Sequence, residues 1–117
     1  MLDIHHEKNG EVDVIRVRGT LDTLTAASLK REVEPMLSAV PPRMVFDLSG
    51  VELVDSSGVG ALVGLFKRVR ALRGDLRIAA LRGQPRQIFS LLRLDRVFGV
   101  EDTVQEATEK LRAIPGE

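Results

Sequence analysis

The chain has 117 residues, 44 % of them apolar and 29 % charged, with 17 basic and 17 acidic side chains and no cysteine. That length and composition predict one globular domain, and the missing cysteines exclude thiol nucleophiles, disulfides, thiolate metal sites and iron–sulfur clusters. A formal net charge of zero is not the basic balance of a nucleic-acid binder; the longest apolar stretch, Val59 to Phe66, is far short of the about 20 residues a spanning helix needs.

Residues 2–7 read as a first strand. Residues 12–18 read as a second, because Val12, Val14, Ile15 and Val17 interleave with Asp13, Arg16 and Arg18 at close to period two. Asn9-Gly10 is the expected hairpin turn, and Gly19 is expected to end the second strand. Thr20-Leu21-Asp22-Thr23-Leu24-Thr25 is rich in N-capping types. Leu29, Val33, Leu37 and Val40 follow at helical spacing. Pro35 lies inside that pattern; it costs a straight helix about 3 kcal/mol, so a kink or an early close is predicted. Pro41-Pro42 end the helix.

Met44-Val45-Phe46 with Leu48 reads as a short buried strand, turned by Ser49-Gly50. A second helix follows Asp55-Ser56-Ser57-Gly58, with Val59, Leu62, Val63, Phe66 and Val69 on its apolar face, and Gly74-Asp75 stops it. Leu76 to Leu81 reads as a strand. Gly83-Gln84-Pro85 opens a third helix with proline in its first turn, and Ile88, Leu91 and Leu92 are expected on its buried side. Val97-Phe98 is a candidate short strand. Thr103 caps a last helix that turns Val104, Ala107 and Leu111 inward. Alternating strands and helices give an α/β domain, a mixed sheet with helices packed on it.

Charge is uneven along the chain. Between Lys67 and Arg96 stand nine basic residues against only Asp75 and Asp95, a local charge of +7. Such a run is either a set of solvated helix faces or a basic surface for an acidic partner or phosphates. The four Phe are the only aromatics, too few for a base-stacking platform. The opening residues Met1-Leu2-Asp3-Ile4-His5-His6-Glu7 have no basic region and no apolar signal core. A cytoplasmic protein without membrane or nucleic-acid partners is expected.

The chemistry-bearing stretch runs from Asp47-Leu48-Ser49-Gly50 to Asp55-Ser56-Ser57-Gly58-Val59-Gly60. It leads from a strand through a loop into a helix start, where free N–H groups and the helix dipole favour an anion. A serine hydroxyl there is presented to solvent from a fixed loop and suits a phosphoacceptor. Asp55 and the serines are equally suited to plain helix capping. Gly60 and Gly64 share a helix face with little bulk, either for tight internal packing or for a partner's approach. Gly58, Gly60 and Gly64 do not make a dinucleotide fingerprint, since the last spacing is one residue too long. Ser56 and Ser57 lack the preceding glycine of a nucleophile elbow, and no general base is evident for Ser56. His5 and His6 have no metal-ligand spacing, so neither metal nor cofactor is expected. Asp22 is a cap or turn residue; the loops after residues 18 and 54 would bring it near Ser56 if they share one sheet edge.

Gly19-Thr20-Leu21-Asp22, then Asp47-Leu48-Ser49 and Asp55-Ser56-Ser57-Gly58-Val59-Gly60, resemble the STAS domain, and more narrowly the bacterial anti-sigma factor antagonists. The resemblance covers about residues 3–112 of a single domain spanning 1–117. It implies a mixed four- to five-strand sheet with about four helices packed against it, and no catalysis. It implies that Ser56 is phosphorylated by a serine-kinase anti-sigma factor. The unphosphorylated form would bind that kinase and free a sigma factor, and a PP2C-type phosphatase would restore the serine. Partner contacts would come from Asp22, Asp55, Ser56, Ser57, Gly58 and Gly60, in a monomer or weak dimer. A non-switching STAS module, serving as a structural subunit of a larger transport or signalling complex, is the alternative.

Overall fold

The computed structural model describes residues 2–38 and 41–112. Strands β1 (Leu2–Asn9) and β2 (Val12–Leu21) form an antiparallel hairpin in which Asn9 pairs with Val12. The loop residues are therefore Gly10 and Glu11, one position later than expected. Gly10 comes first and takes a φ of +64°, a left-handed value that costs glycine no Cβ clash.

Strand β2 does not end at Gly19, nor does the chain turn at Ser49-Gly50. Strand β3 (Arg43–Val54) runs for 12 residues parallel to β2, from Asp13 opposite Met44 to Leu21 opposite Val54. The pairing shifts register between Arg16 and Arg18 and again between Gly19 and Thr20. Such irregularities bend a strand without ending it. Gly50 belongs inside the strand because the Arg18 side chain lies across it; a Cβ there would meet Arg18 Cγ at 2.7 Å.

Helix α1 (Thr23–Val33) closes early, as Pro35 demands: a short 3₁₀ turn, Glu34–Ser38, takes over. Val40, expected on the apolar face of this helix, lies outside the described residues. Helix α2 (Ser56–Ala71) follows β3; then come β4 (Asp75–Ala79), α3 (Gly83–Leu91), a 3₁₀ turn Leu94–Arg96, β5 (Gly99–Glu101) and α4 (Val104–Arg112). β5 thus starts immediately after Val97-Phe98, at Gly99. Phe98 is a core residue instead, its ring centroid 5.0 Å from that of Phe66 and 5.7 Å from that of Phe89.

Two helix faces are rotated from expectation. In α2, Ala61, Leu62, Leu65 and Val69 are buried, while Val59, Val63 and Phe66 are half-buried. In α3, Pro85 and Phe89 face the core and Leu91 is 77 % exposed. A helix that buries positions 85 and 89 turns position 91 outward. Leu92 lies past the helix end, where Arg93 turns the chain with a φ of +55°.

The sheet order is β1-β2-β3-β4-β5, with β2 to β5 all parallel. Each crossover steps one strand further in the same direction, so a constant handedness puts α1, α2 and α3 on one face. There Ile15, Val17, Met44, Phe46, Leu76 and Ile78 meet Leu29, Val33, Leu62, Leu65, Val69 and Phe89. On the opposite face Val12, Val14, Val45 and Ala79 lie under Ala107 and Leu111 of α4. The α/β class, the mixed sheet and the four helices are as expected. Because four strands run the same way, the loops leading into α1, α2, α3 and α4 emerge at one edge.

Candidate functional site

Asp22 alone separates β2 from α1, and Asp55 alone separates β3 from α2. Both have extended backbones and both cap their helices. Asp22 Oδ1 accepts from the N–H groups of Leu24 and Thr25 at 3.0 and 3.1 Å, and Thr25 Oγ1 accepts from the Asp22 N–H at 2.9 Å. This reciprocal pair is a capping box. The Thr25 N–H, foremost among these donors, holds the Asp22 carboxyl below its ordinary value. Asp55 Oδ1 accepts from the Gly58 N–H at 2.9 Å.

The two helix starts are joined. The Asp55 N–H donates to the Leu21 carbonyl at 3.1 Å, and Ser57 Oγ lies 3.0 Å from Thr23 Oγ1. Gly58 is buried against Leu21; a Cβ there would lie 2.5 Å from the Leu21 carbonyl oxygen. Any larger residue would push α2 away from β2. The loops after β2 and β3 therefore share one edge, with Asp22 on one, Asp55 on the other and Ser56 opening the helix that follows Asp55.

The adjacent serines are not equivalent. Ser57 is half-buried and bonded to Thr23. Ser56, the first residue of α2, is exposed, and its hydroxyl makes no hydrogen bond among the described residues. Gly60 is exposed, and a Cβ at Gly60 or Gly64 would meet nothing within 4 Å. Tight internal packing does not explain these two glycines.

Thr23, Thr25 and Gln84 complete the edge, and sequence reasoning assigned none of them these contacts. Thr25 stands three residues after Asp22, the spacing of a capping box, and so left a local signal. Thr23 reaches Ser57 across 34 residues. Gln84 reaches Val54 across 30: its Oε1 accepts from the Val54 N–H at 2.9 Å and its Nε2 donates to the Val54 carbonyl at 3.0 Å. No local spacing reveals either contact. β4 ends at Ala79, opposite Asp47, so the Gln84 amide serves the backbone of β3 where a strand would otherwise pair.

The basic stretch is not one surface. Arg68 pairs with Glu34, Arg70 with Asp75, and Arg77 with Asp75 and Glu101. The side chains of Lys67, Arg82, Arg86, Arg93 and Arg96 enter no hydrogen bond or ion pair among the described residues. Among the described residues, no group of three or more His, Cys, Asp or Glu is placed to hold a metal ion, and no helix is long and apolar enough to cross a membrane.

The chain is similar to known proteins. A Thermotoga maritima protein, a candidate anti-sigma factor antagonist, is 32 % identical over 65 residues, which are 56 % of this chain and span 58 % of that protein's length. The anti-sigma-F factor antagonist RsfB of Mycobacterium tuberculosis is 27 % identical over 106 residues, 91 % of this chain and 85 % of that protein. The crystal structure of an anti-sigma factor antagonist from Mycobacterium paratuberculosis has a TM-score of 0.85 at 26 % identity, covering 96 % of this chain and 95 % of that one. The family model of the STAS domain matches residues 3–107, and the chain belongs to that family.

Proposed function

We propose that this chain is an anti-sigma factor antagonist, a single STAS domain with its core at about residues 3–112, that works by partner switching without catalysis of its own. The unphosphorylated form docks on a serine-kinase anti-sigma factor through the edge formed by Asp22, Asp55, Ser56, Ser57, Gly58 and Gly60. Docking frees a sigma factor. Phosphorylation of Ser56 ends it, and a PP2C-type phosphatase restores the free serine.

One observation supports this reading above the rest: Ser56 is exposed and unbonded among the described residues, on a helix start held by the Asp55–Leu21 and Ser57–Thr23 contacts. A kinase finds the hydroxyl in a fixed pose. A phosphate adds about −1.5 to −2 charges there, beside Asp55, and the helix start returns only about 0.3–1 kcal/mol for an exposed anion. The fold is already tied at this point, so the phosphate alters what can dock without refolding the chain.

Incubation with ATP and serine-kinase anti-sigma factors, followed by mass spectrometry, tests the reading. Phosphate on Ser56 with loss of kinase binding is expected. Ser56→Ala should bind the kinase and never be released. Phosphate confined to other residues, or a phosphorylated form that binds as tightly as the free one, refutes it.

A further inference from the structure

Charge is distributed unequally over the four loops of this edge. Asp22 leads into α1, Asp55 into α2, and Asp102 with Thr103 into α4. The loop into α3 is Ala80-Leu81-Arg82, and Arg82 is the single basic residue among the four. Glu52, exposed near the end of β3, lines a hollow with Arg18 and Asp3, and the first turn of α1 adds no charge. Arg82 is exposed, its backbone extended with φ −150° and ψ 165°. Its guanidinium has no partner among the described residues.

The Gln84 amide ties the start of α3, which follows Arg82, to the end of β3, which precedes Ser56. It holds both polar backbone groups of Val54, at 2.9 and 3.0 Å. Val54 stands two residues before Ser56, and Arg82 two residues before Gln84. Two residues span at most about 7 Å, so Arg82 lies within that reach of Gln84 and Ser56 within that reach of Val54, the two ends of this contact.

We propose that Arg82 is the counter-ion of a phosphate on Ser56, forming an ion pair between the β4–α3 and β3–α2 loops in the modified protein. The proposal rests on Ser56 being the modified residue. A phosphoserine presents three acceptor oxygens and up to two negative charges, and a guanidinium fork matches them in geometry. On this edge the new dianion joins Asp22, Asp55 and Asp102, and Arg82 is the one basic side chain on the four loops that offsets them. With it, the phosphate is drawn across the edge and held in one pose over the docking loops.

The test uses full-length protein with phosphoserine installed at position 56 during translation, titrated by phosphorus NMR. Wild type is compared with Arg82→Gln and with Arg86→Gln, the latter an unpaired arginine one turn into α3. Phosphoserine loses its second proton near pH 6. Wild type and Arg86→Gln should titrate about half a pH unit or more below Arg82→Gln. Equal titration in all three proteins overturns the ion pair and leaves Ser56 as the switch unaffected. Should Arg82→Gln not fold, salt decides on wild type alone. Measured against a free phosphoserine peptide in the same buffer, a phosphate beside a cation titrates higher as salt rises, and one beside carboxylates alone titrates lower. Low titration in a protein that still binds its kinase would keep the ion pair and refute the partner-switching reading instead.

Discussion

The three glycines on α2 play two different parts, although the sequence shows only three glycines in a helix. At Gly58 a Cβ would strike the Leu21 carbonyl, a backbone atom that cannot step aside. Gly58→Ala should therefore lower stability by about 1–3 kcal/mol in urea unfolding. At Gly60 a Cβ meets nothing within 4 Å, and alanine is the better helix former by up to about 1 kcal/mol. Gly60→Ala should stabilise the fold in the same assay and, under the docking proposed above, weaken capture of the kinase, because the added methyl would stand on the proposed edge. Asp22 carries a pH signature of its own. Its folded pKa is lowered, chiefly by the Thr25 N–H, so the unfolded chain binds more protons in the acid range and stability rises with pH there. The contribution is complete above the unfolded value, near about 3.9, and is lost as pH falls through the folded one. Asp22→Asn should flatten the stability curve below about pH 4 in acid titrations followed by circular dichroism.

At the scale of elements, what the sequence disclosed follows the reach of each signal. Pro35 closed α1 where its missing N–H demands, and Asp22, Asp55 and Thr103 mark three helix starts because caps act within a turn. The length of β3 was hidden. Ser49-Gly50 has turn chemistry, yet pairing with β2 and the Arg18 side chain over Gly50 keep it in the strand. The buried face of α3 is hidden for a related reason. Leu91 and Leu92 are more aliphatic than Pro85, but helix phase is set by where Phe89 meets Phe98, a long-range contact. The Gln84 contact belongs to this scale too. Gln84→Ala would strip both polar backbone groups of Val54 of their side-chain partner, an expected loss of about 1–3 kcal/mol. Hydrogen exchange should show the Val54 amide opening faster in that variant than in wild type.

For the whole molecule, alternating strands and helices disclosed an α/β domain, but no single segment encodes sheet order. The edge that gathers Asp22, Asp55 and Ser56 exists because β2 to β5 run in one direction; periodicity alone allowed that edge without requiring it. The two faces are also unequally protected. Helix α4 has nine residues and buries only Ala107, Thr108 and Leu111, and so short a helix is marginal without its packing. Amides of α4 should exchange with solvent at a lower opening free energy than those of α2 or the centre of β3.

That asymmetry bears on how the protein would spoil. When α4 peels back, Val12, Val14 and Val45 become a bare aliphatic patch on a pleated surface, the sort of substrate on which neighbouring chains clump. Resistance to clumping is then governed from the rear of the sheet, on the face away from α1, α2 and α3.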